Sequence, residues 1–364
     1  MTTLFINGKF LAQRTTGVQR FAYGVLTALD FSLQLTPCGR DVELLLPPGA
    51  TAIPQLQVIR QRVVGRANQS LTTWEQLVLP KYVREGILLC LSGSAPLLVN
   101  NCIPTIHDAA VYLYPKAYSR VFVAWYRLIF ASRAKRSPLV LTVSESSARD
   151  LVPYLPPTAY RVVPNSAEHI AEYAPDTTIL NRFGLIPRRY MLAVGSLNST
   201  KNFPFLIDAY VESSLIEQLP LVIVGAMNRE VFRSHPEISD NDNIFFVGSI
   251  PDAQLRALYE NAAVFVFPSL YEGFGIPPLE AMFCGCPVVA SNISSIAEVC
   301  GSAACYFDPK NPKEMLGAIQ SVIQDDNYRN ALVKRGYKRA RNFTWESSAK
   351  RLRSALVEFD VIDR

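Results

Sequence analysis

Two glutamates flank a glycine-rich turn in the second half of the chain. Glu272 stands directly before this turn, two consecutive prolines follow the turn, and Glu280 comes eight residues after Glu272. The apolar run before the turn and the prolines after it predict a strand end, a loop and a helix start. Backbone N–H groups at such a helix start can hold a diphosphate. The candidate diphosphate-binding residues of this loop are Gly273, Phe274, Gly275 and Ile276.

The two carboxylates of this segment need a partner other than the diphosphate, because like charges repel. Hydroxyl groups are suitable partners, since a carboxylate accepts their hydrogen bonds. Glu280, in the first helical turn, is predicted to accept from both hydroxyls of a ribose, and Glu272 from a hydroxyl of a hexose. The spacing alone is equally compatible with a glutamate that only favours the helix dipole and with a solvated loop residue.

A lysine follows a second glycine turn. The apolar strand at 191–194 ends at Gly195, and Ser196 and then Lys201 lead into a helix that begins near Phe203. An ammonium group at this position can neutralise the charge that develops on a leaving diphosphate, and it would thereby stabilise the transition state. The alternative is an ordinary exposed loop lysine.

The first half of the chain contributes two further candidate elements. Arg14 and Gly17 precede the first long helix, and their turn lacks the Gly-x-Gly-x-x-Gly fingerprint of a dinucleotide fold, which argues against NAD. Gly17 would let the loop approach a ligand closely, although an ordinary helix start has the same composition. His107 and Asp108 close a candidate strand at 104–107, where a lone histidine is also compatible with a hydrogen-bonded core residue.

Short apolar runs alternate with longer amphipathic stretches along the whole chain. This alternation is typical of parallel sheets with helices on both faces, so the predicted fold class is α/β. Three predicted strands of the second half end in glycine, which allows a sharp turn at the carboxyl edge of a sheet. The predicted strands are Leu4–Ile6, Val42–Leu46, Ile87–Leu91, Pro104–His107, Leu139–Val143, Met191–Gly195, Leu221–Gly225, Ile244–Gly248, Val264–Phe267, Val288–Ala290 and Ala304–Phe307.

The 364 residues exceed what one hydrophobic core usually holds and predict two domains. The stretch from 164 to 189 is rich in proline without a sustained period and is interpreted as the linker. The predicted domains are residues 1–169 and 170–344, and a terminal helix of about 345–364 is expected to pack back on the first. Other predicted helices are Val18–Leu29, Leu71–Val83, Ala117–Arg136, Ser144–Tyr154 and one that begins at Pro312 with Asn311 as its cap.

Charge and cysteine usage exclude several classes of protein. A formal net charge of +5 gives no reason to favour nucleic acid as a partner. The seven cysteines and three histidines are dispersed, so no metal site and no cofactor are predicted. The first ten residues do not resemble a signal peptide, which predicts a cytoplasmic protein with reduced thiols. No apolar window approaches the roughly 18 residues of a membrane-spanning helix.

One stretch of the first half is strongly basic. Residues 109–144 contain no acidic side chain and interleave aromatic residues with six cations. Such a helix can lie on an anionic lipid surface, which would place the protein peripherally on the cytoplasmic face of the inner membrane. The alternative is a core stripe with a solvated basic face. The cations are Lys116, Arg120, Arg127, Arg133, Lys135 and Arg136.

The segment around Glu272 and Glu280 resembles the Glu-x7-Glu motif of family 4 of the retaining glycosyltransferases. The flanking stretches 246–259, 285–291 and 308–309 resemble the same family in the same order, and the likeness covers nearly all of the region 190–312. Thr-Gly-Val-Gln-Arg at 16–20 is similar to a signature of bacterial surface-polysaccharide enzymes. The resemblance implies the GT-B fold, in which two Rossmann-like domains with parallel sheets face each other across a cleft.

Within this resemblance, His107, Lys201 and Glu272 are the implied catalytic residues. His107 would touch a hydroxyl of the transferred sugar, and Lys201 would contact the diphosphate. Many relatives have an arginine just before this lysine or just after the glycine, where this chain has Thr200 and Ser196. The other implied donor-binding residues are Gly17, Gly195, Ser196, Gly273, Phe274, Gly275, Ile276 and Glu280, and the implied acceptor residues are Arg14 and Asp108.

The implied reaction is metal-independent, retaining transfer of a hexose from a nucleotide-diphosphate sugar. Similarity to bacterial members with the Thr-Gly-Val-Gln-Arg element favours GDP-mannose as the donor and a saccharide or a polyprenyl-diphosphate-linked saccharide as the acceptor. The product would be O-antigen, capsule or exopolysaccharide. Alternatives are a transferase that uses dTDP-rhamnose or a UDP-hexose, a nucleotide-sugar epimerase of the same fold, and a non-catalytic saccharide-binding paralogue.

Overall fold

The computed structural model describes residues 3–196, 198–225 and 243–363. The chain divides into two compact units. The first unit comprises residues 1–165 together with 344–364, and the second comprises residues 166–343.

The first unit is built on parallel strands. They are β1 (Leu4–Asn7), β2 (Val42–Leu46), β3 (Arg60–Val63), β4 (Ile87–Cys90), β5 (Cys102–Pro104), β6 (Leu139–Thr142) and β7 (Ala159–Val162). The main sheet has the order β3-β2-β1-β4-β5, and β6 pairs with β7. A bridge between Thr105 and Leu141 connects the two sheets. The strand order therefore reverses between β1 and β4, which is where open α/β sheets form a ligand crevice.

Five α-helices lie between these strands in the described part of residues 1–165. They are α1 (Gly17–Leu35), α2 (Leu71–Thr73), α3 (Ala110–Leu113), α4 (Arg120–Arg136) and α5 (Glu145–Leu151). Short 3-10 helices occupy Gly8–Ala12, Leu79–Lys81 and Pro115–Ala117, and a π-helix occupies Trp74–Val78. None of the helices within the described ranges is both long and apolar enough to cross a membrane.

Two predicted elements of this unit were wrong. The helix expected at 71–83 breaks into α, π and 3-10 turns, because the buried indole of Trp74 donates to the carbonyl of Val64 at 2.8 Å and Pro80 has no N–H. The strand expected at 104–107 ends at Pro104. There the chain leaves the β4 ladder, and the N–H of Ile106 donates to Leu141 on β6 at 2.8 Å.

The second unit has one six-stranded sheet whose neighbouring strands are all parallel. Its strands are β8 (Met191–Val194), β9 (Leu221–Val224), β10 (Ile244–Gly248), β11 (Val264–Phe267), β12 (Val288–Ser291) and β13 (Ala304–Phe307). The order β10-β9-β8-β11-β12-β13 reverses between β8 and β11. The three strands predicted in this region are present; β10 ends in Gly248 as predicted, and β8 and β9 end one residue before Gly195 and Gly225. The reversal of strand order places a ligand crevice at the carboxyl ends of β8 and β11.

The helices of the second unit bury a core of aromatic and aliphatic side chains that includes Phe203, Tyr210, Val264, Phe307 and Met315. The predicted start of the helix at Pro312 is confirmed, since Oδ1 of Asn311 accepts from the N–H of Glu314 at 3.2 Å. The helices are α6 (Thr178–Arg182), α7 (Phe203–Val211), α8 (Leu215–Gln218), α9 (Asp252–Asn261), α10 (Ile276–Phe283), α11 (Ser294–Cys300), α12 (Pro312–Gln324) and α13 (Asp326–Ala340), with 3-10 helices at Glu168–Ala171, Ser199–Lys201 and Gly301–Ala303.

The last helix, α14 (Trp345–Glu358), completes the first unit. The ring of Trp345 meets Phe21 of α1 edge to face at 6.5 Å between centroids. Gly24 makes room for this contact, because a Cβ there would lie 2.3 Å from Cε2 of Trp345. Ser348 anchors the same helix to the end of the first segment by donating to the carbonyl of Pro164 at 2.7 Å.

Candidate active site

The turn after β8 places Lys201 at the carboxyl edge of the second sheet. The ends of β8 and β9 are so close that a Cβ at Gly225 would lie 1.8 Å from the carbonyl oxygen of Gly195. A 3-10 turn then carries Lys201 to Asn202, whose φ of 58° lies in the left-handed region that asparagine tolerates. Nδ2 of Asn202 donates to the carbonyl of Pro309 at 2.9 Å. These contacts fix the lysine between the strand end and the N-terminus of α7.

The loop between β11 and α10 is shaped by glycine and proline. Gly275 has a φ of 102°, and a Cβ there would lie 2.3 Å from Cδ1 of Ile296. Both observations require glycine at this position. Pro277 and Pro278 fill the first turn of α10 and have no N–H. The N–H groups at this helix start therefore come from residues 273–276.

Lys201 and Glu272 were predicted as separate site residues, and the structure brings them together. Nζ of Lys201 lies 2.5 Å from Oε1 of Glu272, and the hydroxyl of Ser269 donates to the same oxygen at 2.8 Å. The N–H of Leu270 donates to the carbonyl of Thr200 at 2.7 Å, which ties the loop after β11 to the turn after β8. Since β8 and β11 are paired strands, this cation and carboxylate share the point of strand-order reversal.

This ion pair is accessible to a ligand. The side chains of Lys201 and Glu272 are 22% and 12% exposed. The neighbouring Ser196 is exposed, and Gly195 is partly buried. A charged ligand that reached this edge could therefore compete for the ammonium group without unfolding the surrounding loops.

Glu280 is held by two side chains that sequence reasoning missed. It lies in the second turn of α10, not in the first as predicted, because the helix begins at Ile276. Its carboxylate is buried, accepts from the hydroxyl of Tyr259 at 2.9 Å, and accepts from Nε2 of His169 at 2.7 Å. His169 and Glu280 are 111 residues apart, so no local sequence pattern links them. Helical side chains point towards the helix N-terminus, and Glu280 therefore points back towards the Gly275 loop.

His107 and Asp108 belong to the first unit and lie in the loop after β5. Burial lowers the pKa of His107 to about 4, so its imidazole is neutral near pH 7. Nε2 donates to the carbonyl of Leu91 at 3.0 Å, and Nδ1 therefore carries the lone pair that can accept from a hydroxyl. Oδ1 of Asp108 accepts from the N–H of Ala110 at 2.8 Å and stabilises the start of α3.

Arg14 and Gly17 lie at the start of α1. Arg14 is exposed, and Gly17 is the first residue of the helix without a left-handed φ. Thr16 caps the helix, and its N–H donates to Oε1 of Gln19 at 3.1 Å. The local geometry is thus that of a capped helix start, which is the alternative that the sequence left open.

All seven cysteines are free thiols, and Cys284 and Cys286 are buried in the second unit. Within the described residues, no group of three or more His, Cys, Asp or Glu side chains is placed to hold a metal ion.

The sequence has characterised relatives among bacterial mannosyltransferases. Residues 182–339 match the family described as "Glycosyl transferases group 1". The O-antigen chain mannosyltransferase B of Escherichia coli is 30% identical over 262 residues, which cover 69% of each chain. The serotype-specific mannosyltransferase WbdA of Escherichia coli is 27% identical over 229 residues, and this match spans 59% of the present chain but 28% of that longer protein.

Solved glycosyltransferase structures match nearly the whole chain. Sucrose-phosphate synthase from Thermosynechococcus elongatus superposes with a TM-score of 0.74 at 18% identity over 99% of both chains. WaaG, a glycosyltransferase involved in lipopolysaccharide biosynthesis, superposes with a TM-score of 0.68 at 14% identity over 98% of this chain and 99% of that one. These likenesses confirm the predicted α/β class and GT-B fold. Together with the sequence matches, they establish that the chain belongs to the group 1 family of glycosyl transferases and is a glycosyltransferase.

Proposed function

We propose that this glycosyltransferase transfers mannose from GDP-mannose, with retention, to a saccharide or a polyprenyl-diphosphate-linked saccharide. The reaction would serve the assembly of O-antigen, capsule or exopolysaccharide. Two Escherichia coli relatives are mannosyltransferases, and one of them acts on the O-antigen chain, which supports both the sugar and the product.

The contact between Lys201 and Glu272 carries this proposal. A nucleotide sugar needs a cation at its diphosphate and hydrogen-bond acceptors at its hydroxyls, and the two side chains lie 2.5 Å apart at one sheet edge. Lys201 would leave Glu272 for the diphosphate, and Glu272 would then accept from a sugar hydroxyl. The N–H groups of Gly273, Phe274, Gly275 and Ile276, together with Gly195 and Ser196, would complete the phosphate site.

The proposed reaction occurs on one face of the sugar. The acceptor oxygen bonds to the anomeric carbon on the side from which the diphosphate leaves, and the bond from that carbon to the phosphate oxygen breaks. The acceptor proton passes to the departing phosphate oxygen, so no protein base is needed. Lys201 stabilises the charge that develops on the diphosphate, and the remaining protein contribution is to orient the reactants.

The first unit is proposed to supply the remaining contacts. Nδ1 of neutral His107 would accept from a hydroxyl of the transferred sugar, which orients the donor without covalent chemistry. Gly17 is assigned to the donor phosphates, and Arg14 and Asp108 to the acceptor. Because Lys201 provides the positive charge, we expect transfer to continue in EDTA. Complete loss of activity that magnesium or manganese restores would contradict this part of the proposal.

The donor is tested by thermal unfolding with GDP, UDP, dTDP and their mannose, glucose and rhamnose conjugates. A ligand that binds the native state raises its apparent stability, so GDP-mannose should raise the melting temperature most. If dTDP-rhamnose or a UDP-hexose raised the melting temperature more, that nucleotide sugar would be the donor and GDP-mannose would be excluded. The anomeric configuration of the product, read by NMR, tests retention, and isomerisation of the donor without an acceptor would indicate an epimerase instead.

The exposed face of α4 supports a proposed peripheral localisation at the cytoplasmic face of the inner membrane. Val121 and Leu128 lie seven residues apart on one side of this helix and are 79% and 53% exposed. Exposed cations flank them, namely Lys116, Arg120, Lys135 and Arg136. Apolar side chains between cations match the chemistry of an anionic bilayer surface, where a lipid-linked acceptor would be found.

Vesicle sedimentation tests this membrane contact. We expect the protein to bind vesicles that contain phosphatidylglycerol and to bind phosphatidylcholine vesicles much more weakly. Val121→Ser combined with Leu128→Ser should reduce binding several-fold. Leu35→Ser, at a 71% exposed position on α1, is the matched control and should not. Equal binding by the double variant and the control would remove α4 from the proposal.

A further inference from the structure

His169 makes its side-chain hydrogen bond with Glu280. Nε2 lies 2.7 Å from Oε1, both residues are buried, and Nδ1 has no hydrogen-bond partner within the described part of the chain. A buried polar atom without a partner costs stability. An apolar side chain would fill the same volume without this cost. The geometry therefore indicates that the role of His169 is to donate a hydrogen bond to the Glu280 carboxylate.

Tyr259 holds the other oxygen of the same carboxylate. Its hydroxyl donates to Oε2 of Glu280 at 2.9 Å, and its ring packs edge to face on Phe265 with centroids 5.4 Å apart. Burial, followed by the charge of Glu280, raises the pKa of Tyr259 well above its ordinary value. The phenol therefore stays protonated and remains a donor.

Two donors on different elements prevent the carboxylate from rotating. His169 comes from the 3-10 helix at 168–171 and Tyr259 from α9, whereas Glu280 lies on α10. With a donor on each oxygen, the plane of the carboxylate is fixed. A carboxylate oxygen accepts more than one hydrogen bond, so both oxygens can also serve a ligand. A fixed carboxylate plane suits two adjacent hydroxyls better than one.

We propose that His169 and Tyr259 are positioning residues that fix Glu280 for the two adjacent hydroxyls of a donor ribose, so that the enzyme selects ribonucleotides over 2′-deoxyribonucleotides. This inference rests on the proposed function and on the assignment of Glu280 to the ribose that the sequence predicts. A hydrogen bond to a charged group is worth about 10- to 100-fold in affinity, and the loss of the 2′-hydroxyl should cost a factor in this range. Donors that carry dTDP would then be disfavoured.

Calorimetric titration of the full chain with GDP and with 2′-deoxy-GDP tests the inference by comparing their dissociation constants. If UDP binds more tightly than GDP, UDP and 2′-deoxy-UDP are compared instead. The wild type should prefer the ribonucleotide by about 10- to 100-fold. Tyr259→Phe and His169→Leu should each reduce this ratio to about threefold or less. His169→Gln should keep part of the ratio, because its side-chain amide can donate to Oε1.

Tyr190→Phe is the matched control. Tyr190 is also buried, and its hydroxyl donates to the carbonyl of Leu258 at 2.7 Å, next to Tyr259 in the chain. Its variant loses one buried hydrogen bond and should keep the wild-type ratio. If Tyr259→Phe and His169→Leu fold as well as the control and also keep that ratio, the inference is wrong.

The outcomes separate this inference from the proposed function. If GDP, UDP and dTDP all fail to bind, the proposed nucleotide site itself is wrong. If a nucleotide binds and Glu280→Gln weakens it, but Tyr259→Phe leaves the ribose preference intact, only the positioning role fails. In steady-state kinetics the two positioning variants should raise the donor KM and leave kcat within about threefold, since the ribose lies away from the reacting bond.

Discussion

Each unit contains a lysine–glutamate pair near the point where its strand order reverses, and the two pairs differ in how completely the protein encloses them. Nζ of Lys9 lies 2.8 Å from Oε2 of Glu75, and these side chains are 9% and 1% exposed. Nζ of Lys201 lies 2.5 Å from Oε1 of Glu272, and these are 22% and 12% exposed. The residue types are the same, but the accessibility differs.

The enclosed pair is also surrounded by further hydrogen bonds. Oε1 of Glu75 accepts from Nδ2 of Asn7 at 2.9 Å and from the hydroxyl of Ser94 at 2.7 Å. Nζ of Lys9 donates to the same hydroxyl at 3.2 Å. A network satisfied in this way resists the entry of a ligand. Burial therefore separates a structural ion pair from a candidate catalytic one.

Replacing the accessible lysine should affect catalysis far more than folding. Lys201→Met removes the charge that would stabilise the leaving diphosphate, and we expect kcat/KM to fall on the order of 10³-fold. The free energy of unfolding should change by about 1 kcal/mol or less, because a partly exposed pair contributes little. Initial rates and urea unfolding of the same preparation measure both quantities. Activity within tenfold of the wild type would remove Lys201 from the catalytic residues.

Replacing the enclosed lysine should cause a large loss of stability, in contrast to the small loss expected for Lys201→Met. Lys9→Met leaves the buried carboxylate of Glu75 without its cation, and we expect the free energy of unfolding to fall by about 3 kcal/mol. Lys201→Met is the control in the same urea experiment. A loss below that of the control would mean that burial does not distinguish the two pairs.

Sequence reasoning identified Lys201 and Glu272 as separate site residues, and it missed Lys9 and Glu75 for a physical reason. Lys201 and Glu272 each follow a strand that ends at the carboxyl edge of a parallel sheet, which is a local signal. Lys9 and Glu75 are 66 residues apart, and only the packing of the π-helix against the turn after β1 brings them together. Tertiary contacts of this kind produce no regular residue spacing from which they could be predicted.

The difference between local signals and long-range contacts also explains which parts of the fold were predicted. The strands that lead into glycine turns and the Asn311 cap depend on neighbouring residues in the chain, and the structure confirms them. The end of β5 depends on Leu141, which bonds to Ile106 from another strand, and its prediction was wrong. His169 and Tyr259 were missed because their relation to Glu280 exists only in the folded chain.

Ser94, which bonds to the enclosed pair, follows Gly93 in the chain, and a Cβ at Gly93 would lie 3.5 Å from Cδ2 of His107. The stability of this region should therefore depend on pH through His107. The pKa of His107 is lowered by burial from 6.5 to about 4. Below pH 6.5 the unfolded chain therefore binds a proton that the folded chain does not, and stability falls as the pH drops towards 4. Between pH 7 and pH 5, urea unfolding should show a loss of about 1–2 kcal/mol more for the wild type than for His107→Gln. An identical loss in both would contradict a neutral His107 with a lowered pKa.

The serines that donate to the two glutamates allow a test with smaller expected effects on stability and activity. Ser94 donates to Glu75 at 2.7 Å, and Ser269 donates to Glu272 at 2.8 Å. Ser94→Ala leaves an enclosed carboxylate short of a donor and should cost about 1 kcal/mol or more of unfolding free energy. Ser269→Ala should cost less, because water can reach the more exposed Glu272, but it should lower kcat/KM about threefold by loosening that carboxylate. If Ser269→Ala were the more destabilising variant and left transfer unchanged, the pair in the second unit would be structural as well.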